Sequence, residues 1–296
     1  NIMNWTNYHM HSHYCDGEGE LESYVIKAIN RNMYAIGFSS HAPVPFNSDW
    51  HMQLDHLDKY ISEIEFLKKK YKDIKIFSGL EVDYIPGQIS PNTYAGRNLD
   101  LIVGSVHYVG QFKNQDNCCI DSTKEEFEMG LKLIFNNDIK KLVSRYYENV
   151  VEMIRNDPPD IIGHLDLIKK LNSNNRYFNE EDSWYQDMII EVIKAISDTN
   201  CILEINTRGY YKFITKEFYP SKQILEKCFE ADIPVTISSD AHHPNEIDQN
   251  FEDVASVLLD IGYDHVFIFD KGKWSKVLIK ENGSGLKEIM KTANNV

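Results

Sequence analysis

Long apolar runs, basic stretches and signal-like segments are all scarce in this chain of 296 residues. The longest apolar stretches, such as residues 99–103 and 234–237, fall far short of the ~18 residues that a membrane span needs. The first residues lack the basic and then apolar layout of a signal peptide. We therefore expect neither secretion nor a membrane partner, and we expect a cytoplasmic protein.

Cysteines are few and scattered, and their odd number fits neither a disulfide framework nor a zinc-ribbon spacing. They are Cys15, Cys118, Cys119, Cys201 and Cys228. Positive charge is also in the minority, because 31 Lys and Arg face 45 Asp and Glu, which gives a net charge of −14. Such a chain repels nucleic-acid phosphates, and its one short basic run, residues 68–70, falls on a predicted helix. We expect no nucleic-acid partner.

Strand and helix patterns alternate along the chain, without a repeat, a low-complexity segment or a linker. Repeated strand–helix units predict parallel strands with right-handed crossovers, and this length favours a closed barrel over an open sheet. The predicted strands are residues 7–11, 35–40, 74–80, 99–106, 161–164, 202–206, 234–238 and 265–268. The predicted helices lie near residues 21–32, 54–70, 124–136 running on through 142–155, 181–199, 221–231 and 246–259.

The end of the chain is predicted to depart from the strand–helix alternation. Residues 270–280 have the pattern of a β-hairpin or edge strand, and residues 286–292 that of a short helix. We therefore predict a single domain over residues 1–296, with a barrel core at about 5–269 and a C-terminal hairpin and helix at 270–296.

Metal-ligand side chains follow almost every predicted strand at its carboxyl end, where barrel enzymes place their chemistry. In strand order they are His9 and His11, His41, Glu81, His107, His164, and Asp240 with His242. Two residues apart on a strand, His9 and His11 point to the same face. Imidazole and carboxylate ligands without thiolates suit Zn, Mn, Fe or Co in an open catalytic site. So large a set predicts two or three ions, with Glu81 bridging between them.

These segments resemble the motifs of the polymerase and histidinol phosphatase (PHP) family, from residue 7 to about residue 250. The motifs read YHMHS at 8–12, YCDG at 14–17, SHAP at 40–43, GLEVDY at 79–84, GSVH at 104–107, IGHLD at 162–166 and SSDAH at 238–242. Within the family the chain looks most like the stand-alone histidinol-phosphate phosphatases. The resemblance implies a distorted (β/α)7 barrel with a trinuclear metal site.

Carried over position by position, the resemblance implies three groups of metal ligands. The first group is His9, His11, Glu81 and Asp240, the second is Glu81, His107 and His164, and the third is Asp16, His41 and His242. The chain departs from the family pattern at Asn7, where Asp is common, and at Gly17, where some members carry a histidine. Asp16 is therefore the expected ligand of the third group, with Glu18 as its alternative.

The resemblance also implies an activity, the hydrolysis of L-histidinol phosphate to L-histidinol and phosphate by metal-activated hydroxide. The alternative is a PHP-type phosphoesterase acting on nucleotides or another small phosphomonoester. Asp240 or a metal-bound water is the expected proton donor to the leaving group. Arg208 is the expected cation at the phosphoryl group, with Arg176 as its alternative and His243 as a further substrate contact.

Other classes of protein fit these residues less well. A nuclease would carry basic and aromatic contacts for nucleic acid, and neither is visible. An amidohydrolase-like enzyme typically relies on a carboxylated lysine, and the positions of Glu81 and His41 fit that class poorly. A metal-binding regulator without catalysis would have closed metal coordination. The acidic chain suits a substrate with an ammonium and an imidazole, and we expect Asp83 or Asp166 to hold that cationic end.

Overall fold

Short strands connected by helices dominate the computed structural model, which describes residues 2–287. In chain order the strands are β1 (Ile2–Met3), β2 (Thr6–Asn7), β3 (Ala35–Phe38), β4 (Lys75–Asp83), β5 (Leu101–Ser105), β6 (Tyr108–Gln111), β7 (Asn117–Cys119), β8 (Ile161–Ile162), β9 (Ile202–Asn206), β10 (Val235–Ser238), β11 (His265–Asp270), β12 (Lys273–Ile279) and β13 (Leu286–Lys287). Seven of them form one parallel sheet whose spatial order is their chain order: β2, β3, β4, β5, β8, β9, β10.

The parallel sheet curls until its first and last strands meet. Met10 and Ala241, which follow β2 and β10, form a parallel bridge, and the His11 amide donates to the Ala241 carbonyl at 2.8 Å. On the other side the Ser39 amide donates to the Met10 carbonyl at 2.9 Å. These bonds make the sheet a nearly closed seven-stranded barrel, as predicted.

Amphipathic helices cover the outside of the barrel. They are α1 (Leu21–Asn30), α2 (Leu57–Lys70), α3 (Lys124–Leu133), α4 (Ile139–Asn156), α5 (Ser183–Ser197), α7 (Lys222–Glu230) and α8 (Phe251–Ile261), while the four-residue α6 (Arg208–Tyr211) follows β9 at the carboxyl end of the barrel. The predicted run from 124 into 142–155 is wrong, because the chain breaks between α3 and α4. Asn136 and Asn137 take positive φ angles of 54° and 63°, which asparagine tolerates, and the Asp138 side chain caps α4.

None of the helices in residues 2–287 is both long and apolar enough to cross a membrane.

A small apolar cluster fills the barrel below the carboxyl ends of its strands. It contains Tyr8, Leu101, Val103, Ile161 and Phe269, and all five side chains are buried. Val103 lies two residues before Ser105, whose hydroxyl bonds Glu81, so both face the barrel interior. The Tyr8 hydroxyl donates to the Phe269 carbonyl at 3.0 Å and accepts from the Phe269 amide at 2.9 Å. The hairpin of β11 and β12 thereby closes the end of the barrel that lies opposite the carboxyl ends of the strands.

The C-terminal segment differs in part from its prediction. The strand predicted at 265–268 does not join the barrel but pairs antiparallel with β12, so the hairpin spans residues 265–279 and not 270–280 as predicted. The helix predicted at 286–292 is wrong at its start, because Leu286 and Lys287 pair with β1 and β12 as strand β13. The Leu286 side chain is buried in the main core, which favours this pairing over a surface helix. Residues 288–292 of that prediction lie outside the described residues.

Candidate metal centre

Six of the seven barrel strands deliver a histidine or carboxylate to one end of the barrel. In strand order, these side chains are His9 and His11 after β2, His41 after β3, Glu81 within β4 near its carboxyl end, His107 after β5, His164 after β8, and Asp240 with His242 after β10. All but His242 are at least nine-tenths buried, which is unusual for groups of this polarity. Asp16, on the loop after β2, reaches the same place. Every residue predicted to bind metal is therefore part of one assembly.

Ligand atoms in this assembly fall into three groups, and within each group they lie no more than 4.8 Å apart. The groups are His9, His11 and Asp240; Glu81, His107 and His164; and His11, Asp16, His41 and His242. This division differs from the predicted one in two respects: Glu81 falls only in the second group and not also in the first, and His11 also contributes to the third group. Asp16, rather than Glu18, is the carboxylate of that group.

Glu81 lies at the centre and contacts members of all three groups. Its Oε2 is 2.9 Å from His41 Nδ1, 3.2 Å from His9 Nε2 and 3.4 Å from His11 Nε2. Its Oε1 is 3.0 Å from His164 Nε2. Burial raises the pKa of this carboxyl, but His9, His41 and His107 outweigh burial and hold the pKa well below its usual range. Glu81 is therefore a buried carboxylate that stays ionised.

Several buried atoms of the assembly lie 2.9 to 3.4 Å from one another but make no well-aligned hydrogen bond among the described residues. They are His9 Nε2, His11 Nε2, His41 Nδ1, Glu81 Oε2 and Asp240 Oδ1. A buried polar atom without a partner costs about 1–3 kcal/mol, so five such atoms in one place need an explanation. His107 Nε2 and His164 Nε2 also face each other at 3.2 Å. Nitrogen and oxygen lone pairs converging in this way fit divalent metal ions of the Zn, Mn or Fe type.

Outer carboxylates orient two of the histidines. His9 Nδ1 is 2.8 Å from Glu204 Oε2, and His107 Nδ1 is 2.7 Å from Asp83 Oδ1. Such carboxylate–histidine pairs fix the ring so that Nε2 points toward a metal. The role of Glu204 was not predicted from the sequence. The feature that could have revealed it is an acidic residue within an otherwise largely apolar strand, β9, every residue of which is buried.

The predicted substrate contacts Asp83 and Asp166 do not face open space. Asp83 is buried between His107 and His51, whose Nε2 lies 2.7 Å from Asp83 Oδ2. Asp166 is also buried, and its Oδ2 is 2.7 Å from Lys169 Nζ. Both carboxylates stabilise the protein internally, so the prediction that they hold the substrate was wrong.

A cavity of about 300 Å³ opens over the metal-binding groups. Besides members of those groups its walls include Trp50, Asp121, Ser122, Leu167, Lys170, Arg208, Ile214 and Tyr219. Arg208, at the start of α6, is 27% exposed, and its Nη1 donates to the Asp240 carbonyl at 3.1 Å. This places a guanidinium beside the metal-binding groups.

Two other predicted substrate contacts lie elsewhere. Arg176 is half exposed, and its Nη2 lies 3.8 Å from Glu128 on α3. His243 turns back to accept a hydrogen bond from the Asn245 amide at 3.1 Å. Neither is among the residues that line the cavity, so both predictions require correction.

The backbone at Asp240 adopts a left-handed conformation, with φ at 51°. This conformation is uncommon for a residue other than glycine, and it persists only where the surroundings hold it. Here the Asp240 carbonyl accepts from Arg208 Nη1 and lies 2.9 Å from His242 Nδ1. The turn directs Asp240 Oδ1 to within 3.0 Å of His11 Nε2. Strain at Asp240 is thus linked to the assembly of the site.

A nearly closed parallel barrel with histidines and carboxylates at the carboxyl ends of its strands defines a class of metal-dependent hydrolases. The similarity of the chain to known proteins agrees with this class. The PHP domain family matches residues 7–208, and the chain belongs to this family. The Deinococcus radiodurans protein named "Probable histidinol-phosphatase" is 28% identical over 262 residues, which cover 86% of this chain and 92% of that one. The Bacillus subtilis histidinol-phosphatase is 26% identical over 263 residues, covering 82% and 96%.

A solved structure confirms the fold. The histidinol phosphate phosphatase of Lactococcus lactis subsp. lactis, crystallised with Zn, L-histidinol and phosphate, gives a TM-score of 0.69 at 21% identity. The match covers 93% of this chain and all of the other. The predicted PHP-type barrel and the predicted family are therefore confirmed.

Proposed function

We propose that this protein is a metal-dependent phosphomonoesterase that hydrolyses L-histidinol phosphate to L-histidinol and phosphate. The observation that carries the proposal is the convergence of three metal-binding groups on Glu81 below a cavity of about 300 Å³. That volume is at the lower end for small-molecule sites, which suits a small phosphate ester better than an oligonucleotide. The names of the relatives from Deinococcus and Bacillus support the same substrate.

Two to three divalent ions are part of the proposal. His9, His11, Glu81 and Asp240 would hold one, Glu81, His107 and His164 the second, and Asp16, His41 and His242 the third, with His11 close to the third group as well. Bound ions of this kind supply Lewis acidity and lower the pKa of water toward neutrality. The zinc in the Lactococcus lactis structure makes Zn one of the three metals to test first, beside Mn and Fe.

Arg208 is proposed to bind the transferred phosphoryl group. One of its amino groups is engaged by the Asp240 carbonyl, which fixes the guanidinium plane at the cavity wall. Burial disfavours the charged form, but Asp240 and Tyr211 outweigh burial and raise the pKa, so the side chain is a permanent cation. A fixed cation that meets the phosphoryl oxygens stabilises the charge that develops during transfer.

Asp240 is proposed to move the proton. Burial raises its pKa, but His9 and His11 outweigh burial and lower the pKa well below its usual range, so the carboxylate is ionised at rest. It can accept a proton from the attacking water as the bond from oxygen to phosphorus forms. The same proton then goes to the alkoxide oxygen of L-histidinol as the ester bond breaks, which leaves phosphate and the free hydroxyl of L-histidinol.

Phosphate release from a panel of esters tests this function. The panel contains L-histidinol phosphate, nucleoside monophosphates, sugar phosphates and oligonucleotides, each with protein of measured metal content. We expect kcat/KM for L-histidinol phosphate to exceed that for every other member. A His107→Ala variant purified in parallel should lose this activity, which controls for contaminating phosphatases. Equal or higher kcat/KM on a nucleotide would reject the proposal in favour of a nucleotide phosphoesterase.

A further inference from the structure

The cavity over the metal-binding groups contains one carboxylate that those groups do not use. Its acidic lining residues within the described chain are Asp16, Glu81, Asp121 and Asp240, and all except Asp121 belong to a metal-binding group. Bound cations would offset the charge of the other three. Asp121 is therefore the acid left on the wall to meet a ligand.

The segment that carries Asp121 is tied to the loop that carries a predicted metal ligand. β6 and β7 form a two-stranded hairpin directly after His107, in which Tyr108 pairs with Cys119. The amide of the next residue, Ile120, donates to the His107 carbonyl at 2.8 Å. The backbone therefore holds Asp121 across from His107 at the cavity wall.

A lysine from a second loop fixes Asp121 further. Lys170 Nζ donates to Asp121 Oδ1 at 2.5 Å and to the Asp121 carbonyl at 2.8 Å. Lys170 follows β8, the strand that supplies His164, so Asp121 is joined to the segments after β5 and β8, two of the three strands that supply the second metal-binding group. The Asp121 side chain remains 32% exposed. Within the described residues no donor reaches its second oxygen, Oδ2.

We infer that Asp121 is a specificity-determining residue that binds the ammonium group of a cationic leaving alcohol while the phosphate occupies the metal-binding groups. The inference rests on the proposed phosphomonoesterase function. A carboxylate has lone pairs for more than one partner, so Oδ2 can accept a charge-assisted hydrogen bond while Oδ1 stays with Lys170. Asp121 then discriminates between cationic and neutral leaving alcohols, and the rest of the site binds the phosphate.

An Asp121→Asn variant tests the inference, because it keeps the shape of the side chain and removes its charge. We expect kcat/KM on L-histidinol phosphate to fall about tenfold to a hundredfold, the range for a lost hydrogen bond to a charged group. On the analogue that lacks the amino group, and on phenyl phosphate, it should stay within about threefold of wild type. Asp116→Asn, an exposed acid in the turn of the same hairpin, is the matched control and should leave all three substrates unaffected.

A second substrate pair separates this inference from the identity of the substrate. Wild type should prefer O-phosphoethanolamine over ethyl phosphate, and Asp121→Asn should abolish the preference. Preference for the cationic ester would support the inference even if L-histidinol phosphate were a poor substrate. Equal rates on the two esters in wild type, or equal loss on cationic and neutral esters in Asp121→Asn, would overturn it.

Lys170 provides the competing explanation, since its ammonium could bind phosphate directly. The variant Lys170→Met separates the two roles. If Asp121 reads the alcohol, Lys170→Met should reduce the preference for O-phosphoethanolamine and spare ethyl phosphate. The opposite result would be loss of activity on both esters in Lys170→Met together with unchanged selectivity in Asp121→Asn. It would assign this part of the cavity wall to phosphate binding and overturn the inference.

Discussion

Single residues in this protein serve more than one neighbour, and Glu81 is the clearest example. Its two oxygens contact four histidines from three different strand ends, at 2.9 to 3.4 Å. The pattern of strand ends predicted this bridging position because Glu81 is the carboxylate that follows the third barrel strand. Asp121 and Lys170 were not predicted, because their contact joins two loops 49 residues apart and depends on how both loops fold.

The first prediction concerns Glu81→Gln, which keeps the size of the side chain but removes the charge between the proposed ions. We expect loss of more than one metal ion per chain and a fall in kcat/KM beyond about a hundredfold, the upper range for loss of an outer partner. Elemental analysis and steady-state kinetics would measure both effects. The control is His13→Ala, an exposed histidine 3.4 Å from Glu20. Equal damage from His13→Ala would contradict the ligand assignment.

The second prediction concerns Arg208, which lines the cavity beside Asp240. Arg208→Ala should reduce kcat/KM by roughly one to three orders of magnitude, as expected for losing a charge-assisted contact of about 1.5 to 4 kcal/mol. Metal content should stay unchanged, and inorganic phosphate should inhibit less. Arg208→Lys should restore activity only in part, because an ammonium cannot make a two-pronged contact. Wild-type kinetics in Arg208→Ala would exclude the proposed role.

At the scale of elements, the barrel strands were predictable and the added elements were not. All seven barrel strands overlap their predicted ranges, because alternating or continuous apolar runs mark buried strands. The hairpin of β6 and β7 was missed, since its strands are short and partly exposed and their pairing contains an irregular register. β13 was missed because its pairing with β1 joins the two ends of the described chain, which no local pattern can report.

The third prediction concerns the hairpin of β11 and β12, which closes one end of the barrel. Tyr8→Phe removes the hydroxyl that hydrogen-bonds both the amide and the carbonyl of Phe269. Both backbone groups then lose this hydrogen-bond partner while they remain buried. The cost should be about 1–3 kcal/mol, or a fall in Tm of roughly 2 to 12 °C. Activity should persist below the transition. The matched variant Tyr210→Phe, on an exposed ring, should leave Tm unaltered; an equal Tm for both variants would refute this role of Tyr8.

At the scale of the whole molecule, one cluster of side chains connects most of the barrel. Six of its seven strands end in a member of the metal-binding groups, so ions bound there would join them directly. The sequence predicted this arrangement because parallel strands place all their carboxyl ends on one side. It could not predict the separations between side chains, which depend on the closure of the barrel.

The fourth prediction is that removal of metal lowers thermal stability. An ion that binds only the folded chain stabilises it by about 2.7 kcal/mol when its free concentration is 100 times Kd. A chelator should therefore lower Tm by several degrees, and added Zn or Mn should restore it. The shift should be smaller in Glu81→Gln. A chain fully stripped of metal that kept the Tm of the metal-loaded protein would count against coupling between the site and the fold.

Closure of the barrel through Met10 and Ala241 also sets the order in which the site is completed during synthesis. The Asn7 side chain bonds Ser239, 232 residues later, and the ligands His9, His11, Asp240 and His242 flank this junction. At about 5–20 residues per second, the ribosome needs roughly 12 to 46 s to make the intervening chain. During that interval His9 and His11 lack their carboxylate partner from the last barrel strand. The cluster of side chains at the strand ends is therefore completed late, only after the seventh barrel strand has been synthesised.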